Sequence, residues 1–368
     1  WRFIMSEFRV NSITNQDGSA GPQVCGVSTF SGKSGVQIPS GPTDFRRQDG
    51  GGRGRGVFGS GTNPSAQKHL DMIEIATTGN ATDFGDDTVA REEGYATGAS
   101  STRGILAAGY VCPDAIKTIS YFIFSSSGGV NDFGETTNHG NPNANPHKVY
   151  ASAGASDSTR MLIAGGGGDG WQRTRNISFI TMATTGDTSF FGELVRSRAD
   201  GGTPHAEGYR YFDGFASPTR AVFAGGDVGT PADTKIIQHI NIQSLGNAET
   251  FGELITERSS HTACSNSTRG LIAGGQTPSP NLNSIEFVTI ASTGNGTDFG
   301  DMNSALDYLG SANSSTRATF AGGKAGGHTN VIDFVTISTT GDATDFGDLT
   351  TTKRFCMGSS DAHGGLAQ

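Results

Sequence analysis

The sequence is poor in charge and in cysteine, and both shortages argue against whole classes of function. Charged residues make up 17% of the chain, and 26 basic against 35 acidic residues give a net charge of −9. The basic residues are scattered and form no positive face, so nucleic acid is not an expected partner. The four cysteines include no CxxC pair, which argues against a zinc site or a disulfide scaffold. Cys264 and Cys356 lie in apolar surroundings and are predicted to be small buried thiols.

Long apolar runs and helical periodicity are also missing. No segment approaches the roughly 18 apolar residues that span a bilayer, and residues 1–10 lack the apolar core of a secretory signal. We therefore expect no membrane insertion. No segment keeps a 3.6-residue apolar period over three turns, so little helix is predicted. Glycine, in contrast, is abundant, with 56 of the 368 residues.

Many of these glycines occur in two motifs that repeat along the chain. One is a Phe-Gly mark, and its phenylalanines are Phe84, Phe133, Phe191, Phe251, Phe299 and Phe346. The other is an arginine, usually in Ser-Thr-Arg, before an apolar burst and a glycine pair. Its arginines are Arg55, Arg103, Arg160, Arg220, Arg269 and Arg317, spaced 48 to 60 residues apart. This period is typical of a propeller blade.

Each repeat unit predicts four short strands, which we name a to d from the inside of the blade outward. Strand b follows the arginine, strand c is an Ile/Phe/Val-rich piece, and strand d begins at the Phe-Gly mark. Strand c is apolar on both faces, as in residues 331–337. A sheet packed between two neighbouring sheets needs that pattern.

The units resemble the repeats of kelch-type β-propellers. The segment Leu271-Ile272-Ala273-Gly274-Gly275 is an apolar strand ending in a glycine pair, and Phe299 stands where kelch repeats usually carry Trp. The arginines that match the later arginine of the kelch repeat are Arg91, Arg198, Arg258 and Arg354. The resemblance covers residues 36–368 and implies an all-β, kelch-like β-propeller. The wording IATTGNATDFGD, together with STRG and a later AGG, also resembles repeats in structural and tail-fibre proteins of marine and cyanobacterial phages.

We predict seven four-stranded blades, with six blades plus an N-terminal arm as the alternative. Asp44-Phe45 adds a seventh mark, and His363-Gly364-Gly365-Leu366 echoes strand b. The C-terminus would then supply the two inner strands of one blade and residues 27–45 its outer strands, so that paired N- and C-terminal segments close the ring. Residues 1–24 match no repeat and are predicted to be an arm or attachment segment. Residues 25–368 form a single propeller domain in this prediction.

The spacing of the motifs points to one face as a binding surface. The distance from each Phe to the next Arg is 19, 27, 29, 18 and 18 residues, so two successive d-to-a links carry insertions. These links and the b–c loop between them are rich in aromatic residues and histidine, which suit contacts to sugars or proteins. The candidate binding residues are His139, His147, Tyr150, Trp171, His205, Tyr209, Tyr211 and Phe212. The alternative is that these loops pack on one another or on a neighbouring subunit.

The motifs that could indicate catalysis or cofactor binding lack the neighbouring elements or residues that such sites need. The run Gly165 to Gly170 matches GxGxxG, but a strand follows where a dinucleotide site needs a helix. The histidines form no HExxH pair, and nothing singles out a catalytic triad or a general acid. Asp83, Asp86, Asp298 and Asp301 recur in turns, where a structural role is favoured over weak Ca²⁺ binding. We therefore predict no catalytic residue, metal or cofactor.

The functional hypothesis is a non-enzymatic virion protein. It would be a propeller on a phage tail, fibre or capsid surface that binds a host glycan or receptor, or other virion proteins, with self-association left open. A carbohydrate-active enzyme on a propeller scaffold and a cellular kelch-like interaction scaffold are the alternatives, since fold does not fix function.

Overall fold

The computed structural model describes residues 54–126, 128–137, 148–168, 173–197, 208–229 and 233–366. All of them belong to the larger of two compact units of the chain, Asp49–Gln368. The predictions for residues 1–24, for residues 27–45 and for Arg198 lie outside the described residues. No described segment forms a helix that is long and apolar enough to span a bilayer.

The described residues form an all-β structure of short antiparallel strands. The first half contains β1 (Arg55–Phe58), β2 (Gln67–Glu74), β3 (Thr82–Arg91), β4 (Ala96–Ala99), β5 (Arg103–Ala107), β6 (Tyr110–Val111), β7 (Asp114–Ala115), β8 (Thr118–Ile123), β9 (Asn131–Glu135), β10 (Ala153–Ser156), β11 (Arg160–Ala164), β12 (Asn176–Thr181) and β13 (Ser189–Glu193). The second half contains β14 (Asp213–Ala216), β15 (Arg220–Ala224), β16 (Ile236–Asn241), β17 (Glu249–Glu253), β18 (Thr262–Ser265), β19 (Arg269–Ala273), β20 (Ser284–Thr289), β21 (Thr297–Asp301), β22 (Gly310–Asn313), β23 (Arg317–Ala321), β24 (Lys324–Ala325), β25 (Gly327–His328), β26 (Val331–Thr336), β27 (Thr344–Asp348) and β28 (Gly358–Ser360).

These strands build a six-bladed β-propeller. The blades, in order around the ring, are the sheets β28-β1-β2-β3, β4-β5-β8-β9, β10-β11-β12-β13, β14-β15-β16-β17, β18-β19-β20-β21 and β22-β23-β26-β27, which we number 1 to 6. The predicted order of strands a to d is confirmed in every blade, with the repeated arginine at the start of strand b and the Phe-Gly mark on strand d.

The prediction of seven blades is wrong, and the six-blade alternative is correct. The C-terminus supplies only the inner strand β28, which pairs with β1 through Gly56 and Ser360. Residues 363–366, predicted as strand b of a further blade, follow β28 as a turn. The inner strands pack in the cyclic order β28, β4, β10, β14, β18, β22 and back to β28. Closure by N- and C-terminal segments is confirmed, but it completes the Arg55 unit and leaves no gap in the ring for another sheet.

Crowding around the axis explains the small residues of the inner strands. Strand β10 reads AGAS and is fully buried. A Cβ atom on Gly154 would lie 2.0 Å from the Thr97 carbonyl oxygen, and one on Gly310 would lie 1.7 Å from that of Cys356. The neighbouring backbones are therefore too close to accept larger side chains at these positions.

The Phe-Gly mark joins each outer strand to the next blade. The ring of Phe299 is buried and packs edge-on against Phe287 of strand c, with centroids 6.1 Å apart. The Phe299 carbonyl accepts a hydrogen bond from Gly341 N of the next c–d turn at 2.7 Å. Gly300, at φ +144°, stands so close to this turn that a Cβ would lie 2.4 Å from the Gly341 oxygen. Much of the excess glycine thus serves the contact between blades.

The arginine before strand b also connects neighbouring blades. Arg269 lies 4.3 Å from the ring centroid of Phe287 in its own blade and donates to the Ile337 carbonyl of the next blade at 2.9 Å. The same link to the next blade is made by the pairs Arg55–Phe124, Arg103–Met182, Arg160–Gln243, Arg220–Ile290 and Arg317–Ala76. Stacking on an aromatic ring and donation to carbonyls suit the planar guanidinium, so these arginines are structural.

A second set of cations is fully buried between blades. Arg258 is 0% exposed and donates to the Gly274 carbonyl at 3.0 Å and to the Glu286 carboxylate of blade 5. Arg91 makes equivalent contacts with blade 2. The resemblance places Arg354 in this set, but Lys353 takes the position and pairs with Asp71 of blade 1 at 2.6 Å. The prediction of buried thiols is confirmed, since Cys264 and Cys356 are both free and buried.

Candidate functional site

The antiparallel blades give the ring two different faces. The a–b and c–d turns lie on one face, which we call the turn face, and the b–c loops and d-to-a links lie on the other, the link face. The central channel runs between the two faces. The two mouths of the channel are closed by different parts of the chain, and the candidate site lies at the mouth on the link face.

A ring of equivalent link residues surrounds this mouth. The ring has one residue per blade, and its members, which we call the axial ring, are Gly94, Ala151, Tyr211, Ser260, Tyr308 and Phe355. From Ala151 round to Phe355, each backbone N–H donates to the carbonyl of the preceding member, with distances of 2.7–3.0 Å from Tyr211 onward. The backbone alone therefore fixes the ring, and the side chains are free to differ from blade to blade.

The axial ring holds bulky residues in a strained backbone conformation. The five members other than glycine have φ between 51° and 58°. This left-handed region costs a residue with a side chain on the order of 1–3 kcal/mol and persists only where the surrounding structure imposes it. Tyr211, Tyr308 and Phe355 accept this strain and place their aromatic rings at the mouth.

These rings belong to a continuous line of stacked side chains across the link face, which we call the aromatic stripe. Its members, from blade 2 to blade 6, are Tyr110, Tyr150, Arg210, Tyr211, Tyr308, Phe355 and Arg354. Ring centroids are 5.6 Å apart for Tyr110 and Tyr150, 5.9 Å for Tyr211 and Tyr308, and 4.1 Å for Tyr308 and Phe355. Tyr110, Tyr211 and Tyr308 are half-buried, so parts of their rings face solvent.

Hydrogen bonds hold the stripe in place between blades 2 and 4. Arg210 donates to the Tyr150 hydroxyl at 3.0 Å and to Asp227 at 2.7 Å. Burial alone would raise the pKa of Asp227, but hydrogen bonds from Arg210 and Arg173 hold that pKa below its ordinary value. Tyr211 donates to Glu93 at 2.9 Å, across the mouth. Burial and the Glu93 charge raise the pKa of Tyr211, so it stays a neutral hydrogen-bonding phenol.

A small cavity, lined mostly by apolar groups, lies beneath the stripe. It measures about 20 Å³, enough for one water molecule, and Ser152, Ser260 and His261 are among the residues that line it. The hydroxyls of both serines and both ring nitrogens of His261 are buried without a hydrogen-bond partner in the described part of the chain. Burial and the nearby Arg258 lower the pKa of His261 to about 3, so the ring is neutral.

The C-terminal segment closes the mouth on the turn face. His363 Nε2 lies 2.6 Å from the Ala99 carbonyl oxygen, and Gly364 N donates to the Ser265 carbonyl at 2.7 Å. Leu366 is 1% exposed. The Asp361 carboxylate accepts hydrogen bonds from the backbone N–H groups of Gly54 and Arg55 at 2.9 and 2.8 Å. This segment therefore ties β28 to β1 within blade 1 and connects it to blades 2 and 5.

Between the two mouths the channel is narrow and lined by small polar residues. Asp213 is its buried carboxyl group, and it accepts hydrogen bonds from Gly214 N and Ala263 N, both at 2.8 Å. Burial raises the pKa of Asp213 to about 7 despite these donors. The described residues contain no group of three or more His, Cys, Asp and Glu side chains placed to hold a metal ion. Asp83, which lies near the start of β3 and not in a turn, accepts a hydrogen bond from Gly85 N, and this gives that repeated aspartate a structural role.

The predicted binding residues divide into three sets. Tyr209 and Phe212 are 0% and 3% exposed and belong to the hydrophobic core between blades 3 and 4. Tyr150 and Tyr211 lie in the aromatic stripe, and Tyr211 is the more exposed of the two. The others, His139, His147, Trp171 and His205, lie outside the described residues. A binding role for the whole set stays a prediction.

Five of the seven stripe residues were not among the predicted binding residues. Tyr308 and Phe355 fall in links without insertions, and Tyr110 falls in a short b–c loop. A signal was present, because Tyr211, Tyr308 and Phe355 occupy one column of the repeat, just before the small inner strand. A comparison of equivalent positions in the repeat units would have identified the aromatic members of the axial ring. The length of the links does not identify them.

The comparisons with known proteins leave the family of the chain open. No protein-family model matches it, and a search of curated proteins finds no relative. The kelch-type and phage-type likenesses of its repeats therefore rest on the repeat residues alone. The six-bladed propeller is a fold that suits a binding or protein-interaction scaffold.

Proposed function

We propose that this chain is a non-enzymatic structural protein of a phage particle, and that its propeller binds a host-surface glycan through the aromatic stripe. The observation that carries the proposal is the axial ring, which holds Tyr211, Tyr308 and Phe355 at the mouth in a strained conformation. Backbone strain of this kind concentrates at functional sites. Flat aromatic rings with polar groups at their edges suit the apolar faces and hydroxyls of sugars.

The chemistry around the stripe supports binding over catalysis. Two carboxylates that reach it are already engaged, since Glu93 accepts from Tyr211 and Asp227 pairs with Arg210 and Arg173. A general acid or base needs a proton that it can exchange with the substrate. The resemblance of the repeats to phage structural proteins supports the virion location. There the chain would contact other virion proteins and face the host surface.

The test is binding of the full chain to a glycan array, followed by titration of the best glycan. We expect Tyr308→Ala and Tyr211→Ala each to weaken binding by about tenfold or more, as for aromatic residues at the centre of a binding surface. Tyr121→Ala is the matched control. Tyr121 is also a half-buried, stacked ring, but it lies under Arg103 near the turn face. Trp171→Ala tests the remaining predicted aromatic residue.

A cell-binding assay separates a glycan from a protein ligand. Periodate oxidation of host cells should abolish binding, and protease treatment should leave it intact. The opposite pattern would overturn the glycan proposal in favour of a protein-binding scaffold. Equal loss of binding in the Tyr308 and Tyr121 variants would show that the stripe itself is not the site.

A further inference from the structure

The end of the aromatic stripe at blade 6 carries a cluster of basic side chains in a protein of net charge −9. Lys324 and His328 face each other across the short β24–β25 hairpin in the b–c loop of blade 6. Arg354 comes from the link that follows the same blade. All three are half-buried on the link face. Positive charge gathered in this way favours an anionic ligand.

Arg354 has an aromatic platform but no carboxylate within ion-pair distance in the described residues. Its guanidinium carbon lies 5.0 Å from the ring centroid of Phe355 and 5.8 Å from that of Tyr308. Within the described part of the chain its side chain makes no ion pair or hydrogen bond, and its Nε is buried without a partner. A half-buried guanidinium is normally paired, because its donors lose hydration when they are covered.

The equivalent position in another link shows what is missing. Arg210 stands immediately before Tyr211, just as Arg354 stands immediately before Phe355, and both guanidinium groups lie over a ring of the axial ring. Arg210 has its own carboxylate, Asp227, at 2.7 Å. The fold therefore supplies an anion at blade 4, whereas Arg354 at blade 6 has its donors available for a ligand.

The charges that face Arg354 leave the balance positive. Asp307 is the nearby carboxyl group, but it is 4% exposed, and its burial raises its pKa while Lys324 and Arg354 act in the opposite direction. Burial lowers the pKa of His328, and repulsion by Arg354 and Lys324 lowers it further. Glu93, the other acid near Tyr308, is already bonded to Tyr211.

Building on the proposed function, we infer that the glycan is an acidic sugar of the uronic acid class, with its ring on Tyr308 and its carboxylate on Arg354 and Lys324. The planar guanidinium fork matches a carboxylate with two parallel hydrogen bonds. Tyr308 lies directly beside Arg354, so one monosaccharide can contact both groups. A neutral sugar would leave the Arg354 donors unpaired.

The experiment is calorimetric titration of the full chain with an oligogalacturonate trimer and with its carboxyl-reduced, neutral counterpart. We expect the acidic trimer to bind about tenfold or more tightly than the neutral one, with an affinity that falls as salt rises. Arg354→Gln should remove this preference, and Arg354→Lys should restore part of it. Lys117→Gln is the matched control, because Lys117 is an exposed lysine paired with Glu135 away from the site.

The outcomes distinguish this inference from the proposal on which it rests. Equal affinity for the two trimers, with binding still lost in Tyr308→Ala, would overturn the acidic-sugar assignment and keep glycan binding. A sulfated neutral oligosaccharide that binds as tightly as the uronate would also overturn it, since a general anion site would then suffice. Binding to no glycan at all would overturn the proposed function itself. Thermal melting of Arg354→Gln checks that the variant folds.

Discussion

The turn face and the link face of this ring are built on the same backbone plan but use their side chains differently. On the turn face, the junctions repeat the same bond, as when Gly186 donates to Phe133 at 2.8 Å and Gly341 donates to Phe299 at 2.7 Å. Glycine and phenylalanine recur there because the joint depends on them. On the link face, backbone hydrogen bonds connect the axial ring, so its side chains range from glycine to tyrosine. A joint made by the backbone leaves the side chain available for another role.

The two channel mouths repeat this contrast. The mouth on the turn face is filled by the C-terminal segment, whose Leu366 is 1% exposed and whose Gly364 bonds to β18. The mouth on the link face is covered by side chains that stack on one another and leave polar atoms unpaired beneath them. We expect changes on the turn face to affect stability and changes to exposed groups on the link face to affect binding.

The largest expected effect on stability is an exception to this division between the faces, because it comes from a buried charge in a link. Lys353 is 0% exposed and lies 2.6 Å from the buried Asp71. Lys353→Met leaves that carboxylate without its cation and should lower the free energy of unfolding by about 3–5 kcal/mol. Urea unfolding measures the change. Lys235→Met, at a lysine with 42% side-chain exposure, is the control and should change stability by less than about 0.5 kcal/mol.

The next effect tests the glycine junctions of the turn face. A Cβ on Gly192 would lie 1.6 Å from the Gly246 oxygen, whereas one on Gly246 would meet nothing within 4 Å. Gly192→Ala should therefore destabilise the fold by about 3 kcal/mol, and Gly246→Ala, across the same junction, should be nearly neutral. Chemical unfolding of the two variants decides this. Similar values for both would show that the junction is not a tight contact.

The third effect concerns the segment that fills the turn-face mouth. Leu366→Ala removes a buried side chain and should cost about 2 kcal/mol, while leaving glycan binding unchanged. Leu245→Ala, at a leucine that is 62% exposed, is the matched control. A loss of binding in Leu366→Ala without a loss of stability would contradict the separation of the two mouths.

The smallest expected effect depends on pH and comes from His261, which lies beneath the link face. Because the pKa of His261 falls to about 3 in the folded protein, only the unfolded chain binds this proton between about pH 6.5 and 3. The His261 contribution to stability is therefore lost as pH falls through that window. The free energy of unfolding of His261→Leu, minus that of the wild type, should be about 1 kcal/mol larger at pH 5.5 than at pH 8. Urea midpoints at both pH values measure it, and equal differences at the two would refute the burial argument.

Some elements could be predicted from the sequence because their signals are local. Arg269, Phe287 and Phe299 contact one another within one blade, so their spacing identified strands b, c and d correctly. The inner strands gave no such signal. Segments such as AGAS and GSS are small because the axis is crowded, and small residues have little strand propensity of their own. The predicted blade number was one too high because Asp44-Phe45 was counted as a seventh mark and His363-Gly364-Gly365-Leu366 as a strand b, whereas the C-terminal strand is Gly358–Ser360.

The candidate site was predicted in part for a similar reason. Tyr150 and Tyr211 lie near inserted links, which a comparison of spacings detects. Tyr308 and Arg354 lie in links of ordinary length and meet the others only because the ring brings different blades to one axis. Burial also separates residues that look alike in sequence, since Tyr209 is 0% exposed and Tyr211 is half-buried two positions later.

The sequence by itself determined the repeat, the strand order within a blade and the residues that join one blade to the next. Those features depend on side chains and glycines at fixed spacings, so any copy of the unit carries them. Only the tertiary structure decided the number of blades, the pairing of β28 with β1 and the meeting of the stripe at one mouth. These depend on how wedge-shaped sheets close around an axis, and that closure joins residues about 300 positions apart, such as Gly56 and Ser360.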